Sequence, residues 1–190
     1  MEDDKVDLKE IKIIGIAGSL RKGSYNRGAL VAAQGLLPEC SSLEIVDIKD
    51  LPLFNEDVES IGIPDEVVKF KNKLEMADAI LIVTPEYNYS IPGVLKNALD
   101  WASRGEVLPL SKKPLVIMSA SMSVLGGARA QYHLRQVCVS LDALVLNKPE
   151  IFIMKAHEKF DKEGNLTDEY TKNSISMLIK ELVNTARKNK

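Results

Sequence analysis

The sequence predicts a doubly wound α/β fold, and three observations predict it. Several apolar runs are short and unbroken, the pattern of strands covered on both faces of a parallel sheet. The segments between them carry apolar residues at one-face helical spacing. Strand and helix alternate five times along the 190 residues, with no internal repeat, low-complexity tract or linker. The whole chain, 1–190, therefore reads as one domain, a five-stranded parallel sheet with helices on both faces.

The first strand is the isoleucine-rich run 11–17, which ends at Gly18. Ala29, Leu30, Ala33, Leu36 and Leu37 form the stripe of the helix that follows, and Pro38 closes it. Residues 43–48 make the second strand. Val67, Phe70, Leu74 and Ala77 mark the next helix, with Pro64 near its start, where a missing N–H costs nothing. The run "AILIVT", 79–84, is apolar until its last residue and reads as a central strand. Leu95, Ala98, Leu99 and Ala102 follow at helical spacing, entered through Ser90 and Pro92. The fourth strand is 115–120, and Ala130, Leu134, Val137, Cys138 and Leu141 give the helix after it. A fifth strand falls at 144–154, interrupted by Pro149. "DKEGN" is a surface turn before a last helix carrying Ile175, Leu178, Ile179 and Leu182.

Composition narrows the function. The chain is 45% hydrophobic and 27% charged, the balance of an ordinary globular protein. A chain of this length buries roughly 70% of its unfolded surface, enough for a core without metal or disulfide staples. Cys40 and Cys138 are far apart and match no metal-ligand spacing, so they read as free thiols in a reducing compartment. His133 and His157 are equally isolated, and no metal site is expected. The net charge is −2 with both signs interspersed, which gives no footprint for nucleic acid and no polybasic membrane patch. Residues 1–10 are acidic and polar where a signal peptide would need a positive and then an apolar stretch, and no apolar run is long enough to span a bilayer. These features predict a cytoplasmic protein with a small partner.

Three strand-to-helix loops are polar and unusual: "GSLRKGSYNR" after the first strand, "PEYNYS" after the third and "SMSVLGG" after the fourth. Ligands of open α/β sheets bind outside the carboxyl ends of the strands, where the strand order reverses. In the flavodoxin order 2-1-3-4-5 strands one, three and four are adjacent, and all three loops line one crevice. In the order 3-2-1-4-5 the third strand would stand at an edge with its elaborate loop beside it. The loops therefore select the flavodoxin-like order.

The first of these loops has the makings of an anion site. Two glycines let the backbone approach a ligand, Ser19 and Ser24 carry hydroxyls, Asn26 adds an amide, and the next helix offers free N–H groups. It misses the P-loop pattern, because Gly23 is followed by Ser24 and not by Lys-Ser or Lys-Thr. It also lacks GxGxxG, and Asp47 alone is weak support for a ribose partner. A hydroxyl-lined loop with Arg21 beside it suits a phosphate monoester. A helix cap would need one polar residue and not this many.

The segments "GSLRKGSYNR", "PEYNYSIPGVLKNALDW" and "GGARAQYHLRQ" resemble the diagnostic stretches of the NADPH-dependent FMN reductase family, which includes quinone reductases, azoreductases and chromate-reducing relatives. The likeness runs from Ile11 to about Met154, and the second segment is the most specific. The resemblance implies bound FMN as cofactor, NADPH as hydride donor and a flat acceptor such as a quinone, azo compound or free flavin, taken in turn at one place. It implies that Ser19, Arg21, Ser24, Tyr25 and Asn26 hold the FMN phosphate, that Pro85, Glu86, Tyr87 and Asn88 run along the isoalloxazine, and that Ser121 and the residues near Gly126 lie on its far side. It implies a homodimer or homotetramer. Family members often carry more glycine after the fourth strand than "SASMSVLGG", which leaves the contacts of that loop open.

Flavin carries its own electron chemistry, so no side chain is expected to be catalytic, in keeping with two histidines and no evident nucleophile–base pair. Glu86 is read first as a member of a structural ion pair. Tyr87 is favoured over Tyr89 as a site residue, Trp101 reads as core or interface, His133 as surface or interface, and Arg129 as a solvated arginine. Arg21 or Lys22 is placed to meet the 2′-phosphate of NADPH. The rival readings are a flavodoxin-type electron carrier without NADPH turnover, for which −2 is a mild charge, and a nucleotide hydrolase, which the missing P-loop lysine disfavours.

Overall fold

The computed structural model describes residues 9–190. The polar stretch 1–10 lies outside them except for its last two residues. The sheet is parallel throughout, with order β2-β1-β3-β4-β5, built from β1 (Ile11–Ala17), β2 (Ser41–Val46), β3 (Ala79–Thr84), β4 (Pro114–Ala120) and β5 (Leu144–Val145). Every residue of β3 and β4 is buried, as the unbroken apolar runs require of strands covered on both sides. The order is the one that the polar loops select.

Alternate residues of these strands feed two cores. Ile11, Ile13, Leu81, Val83, Val116 and Met118 face α1 (Tyr25–Gln34) and α6 (Glu169–Lys188), meeting Leu30, Ala33, Ile175, Leu178 and Leu182. Ile14, Ile16, Ile80, Ile82, Leu115 and Ile117 face the other way. They pack on Phe70 and Leu74 of α3 (Asp65–Met76), Leu95 and Leu99 of α4 (Gly93–Ala102) and Leu134 and Cys138 of α5 (Ala128–Ser140).

Two elements depart from the sequence reading. The fifth strand is split: β5 pairs with the start of β4 and β6 (Ile151–Ile153) with its end. The break falls at Pro149, which has no N–H for a ladder and stands here after a cis peptide bond. A further helix, α2 (Glu56–Ile61), precedes α3. It buries none of its residues, so it has no apolar stripe to read. Its start is fixed by Asn55, whose side chain accepts from the Asp57 N–H at 2.9 Å. Arg104 ties it down through a 2.8 Å ion pair with Glu59.

The loop between β2 and α2 is held from α4. Asn97 donates to the Pro52 carbonyl at 2.9 Å and accepts from the Phe54 N–H at 2.7 Å. Trp101 is fully buried, donates to the same carbonyl at 2.8 Å and meets Phe54 edge-on. Trp101 is therefore a core residue. No helix among the described residues is long and apolar enough to cross a membrane.

Candidate functional site

The loops after β1, β3 and β4 stand side by side because their strands do. Gly18, at the first step beyond β1, donates to the Val83 carbonyl at 2.8 Å, and a Cβ there would lie 3.0 Å from Leu95 and 3.2 Å from the Thr84 hydroxyl. Only glycine lets the first two loops close up in this way. Ser19 Oγ then lies 3.4 Å from Tyr87 Oη, so the hydroxyls of the two loops converge.

Asn26 joins the first loop to the end of β4. Its amide donates to the Ala120 carbonyl at 3.0 Å and accepts from the Ala120 N–H at 2.8 Å, buried on both sides. The side chain expected to bind phosphate is thus committed to holding α1 against β4, which leaves the backbone N–H of Asn26 for any ligand. Ser24 stands differently. It occupies the N-cap of α1, is buried, and makes no side-chain cap hydrogen bond. The N–H groups of Tyr25, Asn26 and Arg27, in the first turn, have no acceptor among the described residues. Arg21 curls back over Gly23, where an added Cβ would meet its guanidinium at 3.2 Å, and lies 5.7 Å over the Tyr25 ring. The result is an open hydroxyl, three orphan N–H donors and a guanidinium around one helix N-terminus, a donor set that suits a phosphate.

The loop after β3 is closed on itself by the Tyr87 N–H to Ser90 carbonyl bond at 2.9 Å and its reciprocal at 3.0 Å. Asn88 and Tyr89 at its tip have φ of 48° and 69°, left-handed values that L side chains rarely adopt. Their N–H groups make no backbone hydrogen bond with another described residue, and Tyr87 remains half exposed. Unpaired backbone donors along a rigid edge suit the polar rim of an isoalloxazine ring, so the residues present fit FMN.

Three ties hold that loop to α5. The largely buried Glu86 carboxylate accepts from Arg129 Nη1 at 2.7 Å and from the N–H groups of Arg129 and Ala130 at 3.1 and 3.4 Å, closing the helix N-terminus that Gly127 leaves without a side-chain cap. The Arg129 guanidinium lies 3.9 Å over the Tyr89 ring. His133 Nδ1 lies 3.0 Å from Ser90 Oγ. Glu86 is thus the structural ion-pair member that its sequence setting suggests. Arg129, in contrast, is engaged on both sides and not simply solvated. The Ser90–His133 contact is a hydroxyl–imidazole pair that sequence spacing concealed. Among the described residues no carboxylate bonds His133, so it acts here as a tie.

The loop after β4 rests on Ser119, which sequence reasoning passed over as a strand residue. Its hydroxyl donates to the Gly126 carbonyl at 2.6 Å and accepts from Gln131 at 2.8 Å. Gly127, at φ 88°, packs so closely on it that an added Cβ would fall 2.8 Å away. Ser121 turns along its own loop, accepting from the Ser123 N–H at 3.1 Å, and its carbonyl takes the Ala156 N–H at 3.0 Å. The exposed side chains of Met122 and Val124 flank it.

A flavodoxin-like sheet with an uncapped phosphate-type cradle and two pinned loops over adjacent strands defines a class, the α/β proteins that seat a phosphorylated planar cofactor at the strand ends. The chain belongs to the NADPH-dependent FMN reductase family, whose model matches residues 11–158. It is 51% identical over 173 residues to an NAD(P)H-dependent FMN reductase of Pseudomonas aeruginosa, covering 91% of this chain and 94% of that one. It is 46% identical to an NAD(P)H:quinone oxidoreductase of Solanum tuberosum, with 89% of each chain covered. Among solved structures it resembles the flavoenzyme NAD(P)H:(acceptor) oxidoreductase of Paracoccus denitrificans, with a TM-score of 0.85, 32% identity, and 94% of this chain and 98% of that one covered.

Proposed function

We propose that the chain is an FMN-dependent NAD(P)H oxidoreductase that passes electrons from NADPH to a small flat acceptor, a quinone, an azo compound or free flavin. The observation that carries this reading is the cradle at the start of α1: Ser24 sits at the N-cap yet makes no cap bond, beside three N–H groups with no acceptor among the described residues. FMN, when bound, supplies the hydride and electron chemistry. The protein has to hold it, aim it and leave one face open.

In this reading Ser19, Arg21, Ser24 and the N–H groups of Tyr25 and Asn26 hold the phosphate. Pro85, Glu86, Tyr87 and Asn88 set the ring edge, through the free backbone donor at Asn88, through the half-exposed Tyr87 side chain and through Glu86 as the anchor of the loop. Ser121 stands on the far side. The open face serves NADPH first and the acceptor second. Family membership and the quinone-reducing activity in the name of a relative support this reading. The chain, 1–190, is taken as one cytoplasmic domain assembling as a homodimer or homotetramer. The exposed Met122, Val124, Tyr132 and Met154 beside the crevice are a surface on which a second copy would wall the pocket.

Steady NADPH oxidation dependent on FMN and a quinone is the test. Bound FMN with no NADPH turnover would instead make the chain an electron carrier.

A further inference from the structure

We infer that a pocket between the β1–α1 loop and the end of β2 receives the 2′-phosphate of NADPH, and that Arg27 and Lys49 read it and set a preference over NADH. The inference rests on the oxidoreductase reading given above. The pocket has a volume of about 310 Å³ and is lined by Ser19, Arg21, Lys22, Arg27, Asp47 and Lys49, among others. Four cations thus face one carboxylate, in a chain whose charges otherwise intersperse to a net −2. None of Arg21, Lys22 and Arg27 makes an ion pair with another described residue. Asp47 is turned to its own loop, accepting from the Lys49 N–H at 2.9 Å and lying 3.5 Å from Lys49 Nζ. It orients Lys49 and leaves the pocket with a surplus of positive charge.

Position separates this pocket from the phosphate cradle. Ser19 and Arg21 belong to both, so the pocket is continuous with the crevice. Ser24, whose hydroxyl makes no cap bond at the start of α1, does not line the pocket. Arg27 and Lys49 line the pocket, and of the two only Arg27 shares in the cradle, through its backbone N–H, which substitution of the side chain leaves in place. A phosphate monoester carries between one and two negative charges near neutrality and pairs with guanidinium and ammonium groups through charge-assisted hydrogen bonds. NADH presents only a hydroxyl at that position and gains nothing from the surplus charge.

The test uses the FMN-loaded protein and the exposed substitutions Arg27→Ala, Lys49→Ala and the pair together. The KM for NADPH should rise about tenfold in the double variant, the KM for NADH should move by less than about twofold, and the NADPH effect should shrink at high salt. Arg27→Lys with Lys49→Arg should keep most of the preference. Calorimetry with 2′,5′-ADP against 5′-AMP gives a readout independent of turnover. The wild type should bind 2′,5′-ADP more tightly, and the double variant should bind the two alike. An unchanged NADPH-to-NADH ratio, a wild type that does not tell the two adenosine phosphates apart, or a double variant that sheds FMN would overturn the inference, the last because the pocket would then serve the flavin's own phosphate. A wild type that discriminates the two phosphates yet oxidises neither NADPH nor NADH would keep the pocket and overturn the oxidoreductase reading.

Discussion

Ser24 and Asn26 occupy the same turn and do opposite work. Asn26 is a buried bridge, so Asn26→Ala leaves the N–H and carbonyl of Ala120 without partners inside the protein. We expect a loss of about 2 kcal/mol, read from urea unfolding of the FMN-free chain; a loss under about 0.5 kcal/mol would contradict the bridge. Ser24 makes no cap bond, so Ser24→Ala should leave the stability of that chain within about 0.5 kcal/mol, where a working N-cap would cost about 1 kcal/mol. Its dissociation constant for FMN should instead rise several-fold, and fluorescence titration with FMN measures it. Both residues stand out in the sequence as polar members of a glycine-bounded loop. Which of them faces a ligand was not legible there, because it depends on Ala120, ninety-four positions away. Glu86 is similar: its motif marks the residue, and only the fold brings Arg129 to it.

Elements whose chemistry is local were readable, and those whose chemistry is distant were not. β3 and β4 announce themselves as apolar runs, and Pro64 and Pro92 mark helix starts where the structure has them, as the N-caps of α3 and α4. α2 has no buried face, and the split between β5 and β6 rests on which part of β4 each can reach. α6 offers a test of its own start. Its N-cap is Asp168, which accepts from the Thr171 N–H at 2.9 Å and from the Thr171 hydroxyl, with Lys159 3.5 Å away. The hydroxyl bond, against some desolvation, holds the carboxyl below its ordinary value of 3.8. A carboxyl depressed in the folded state adds stability above its unfolded pKa and loses it as pH falls through the folded value. Asp168→Ala should therefore cost about 1 kcal/mol at neutral pH, and the gap to the wild type should narrow as pH drops below 3.8 in urea unfolding series. A gap constant with pH would mean that the carboxylate charge is not what caps the helix.

For the molecule as a whole, the strand order was legible from where the polar loops fall, since only adjacency of β1, β3 and β4 gives them a common crevice. The two thiols check the packing that this order implies. Cys40 is exposed, while Cys138 lies on the buried face of α5, and burial pushes its pKa up to about 12. One thiol should react with a disulfide reagent in the native protein and the second only in denaturant; two fast thiols would contradict the packing of α5. The same strand order puts the phosphate cradle, the pinned β3–α4 loop and the β4–α5 loop around one space. The most direct measurement of that claim is the absorbance of the folded protein after incubation with excess FMN and desalting. The account predicts yellow protein with about one flavin per chain, as one crevice per sheet requires, that bleaches when NADPH is added without oxygen. Colourless protein whose melting temperature is unmoved by FMN would contradict it.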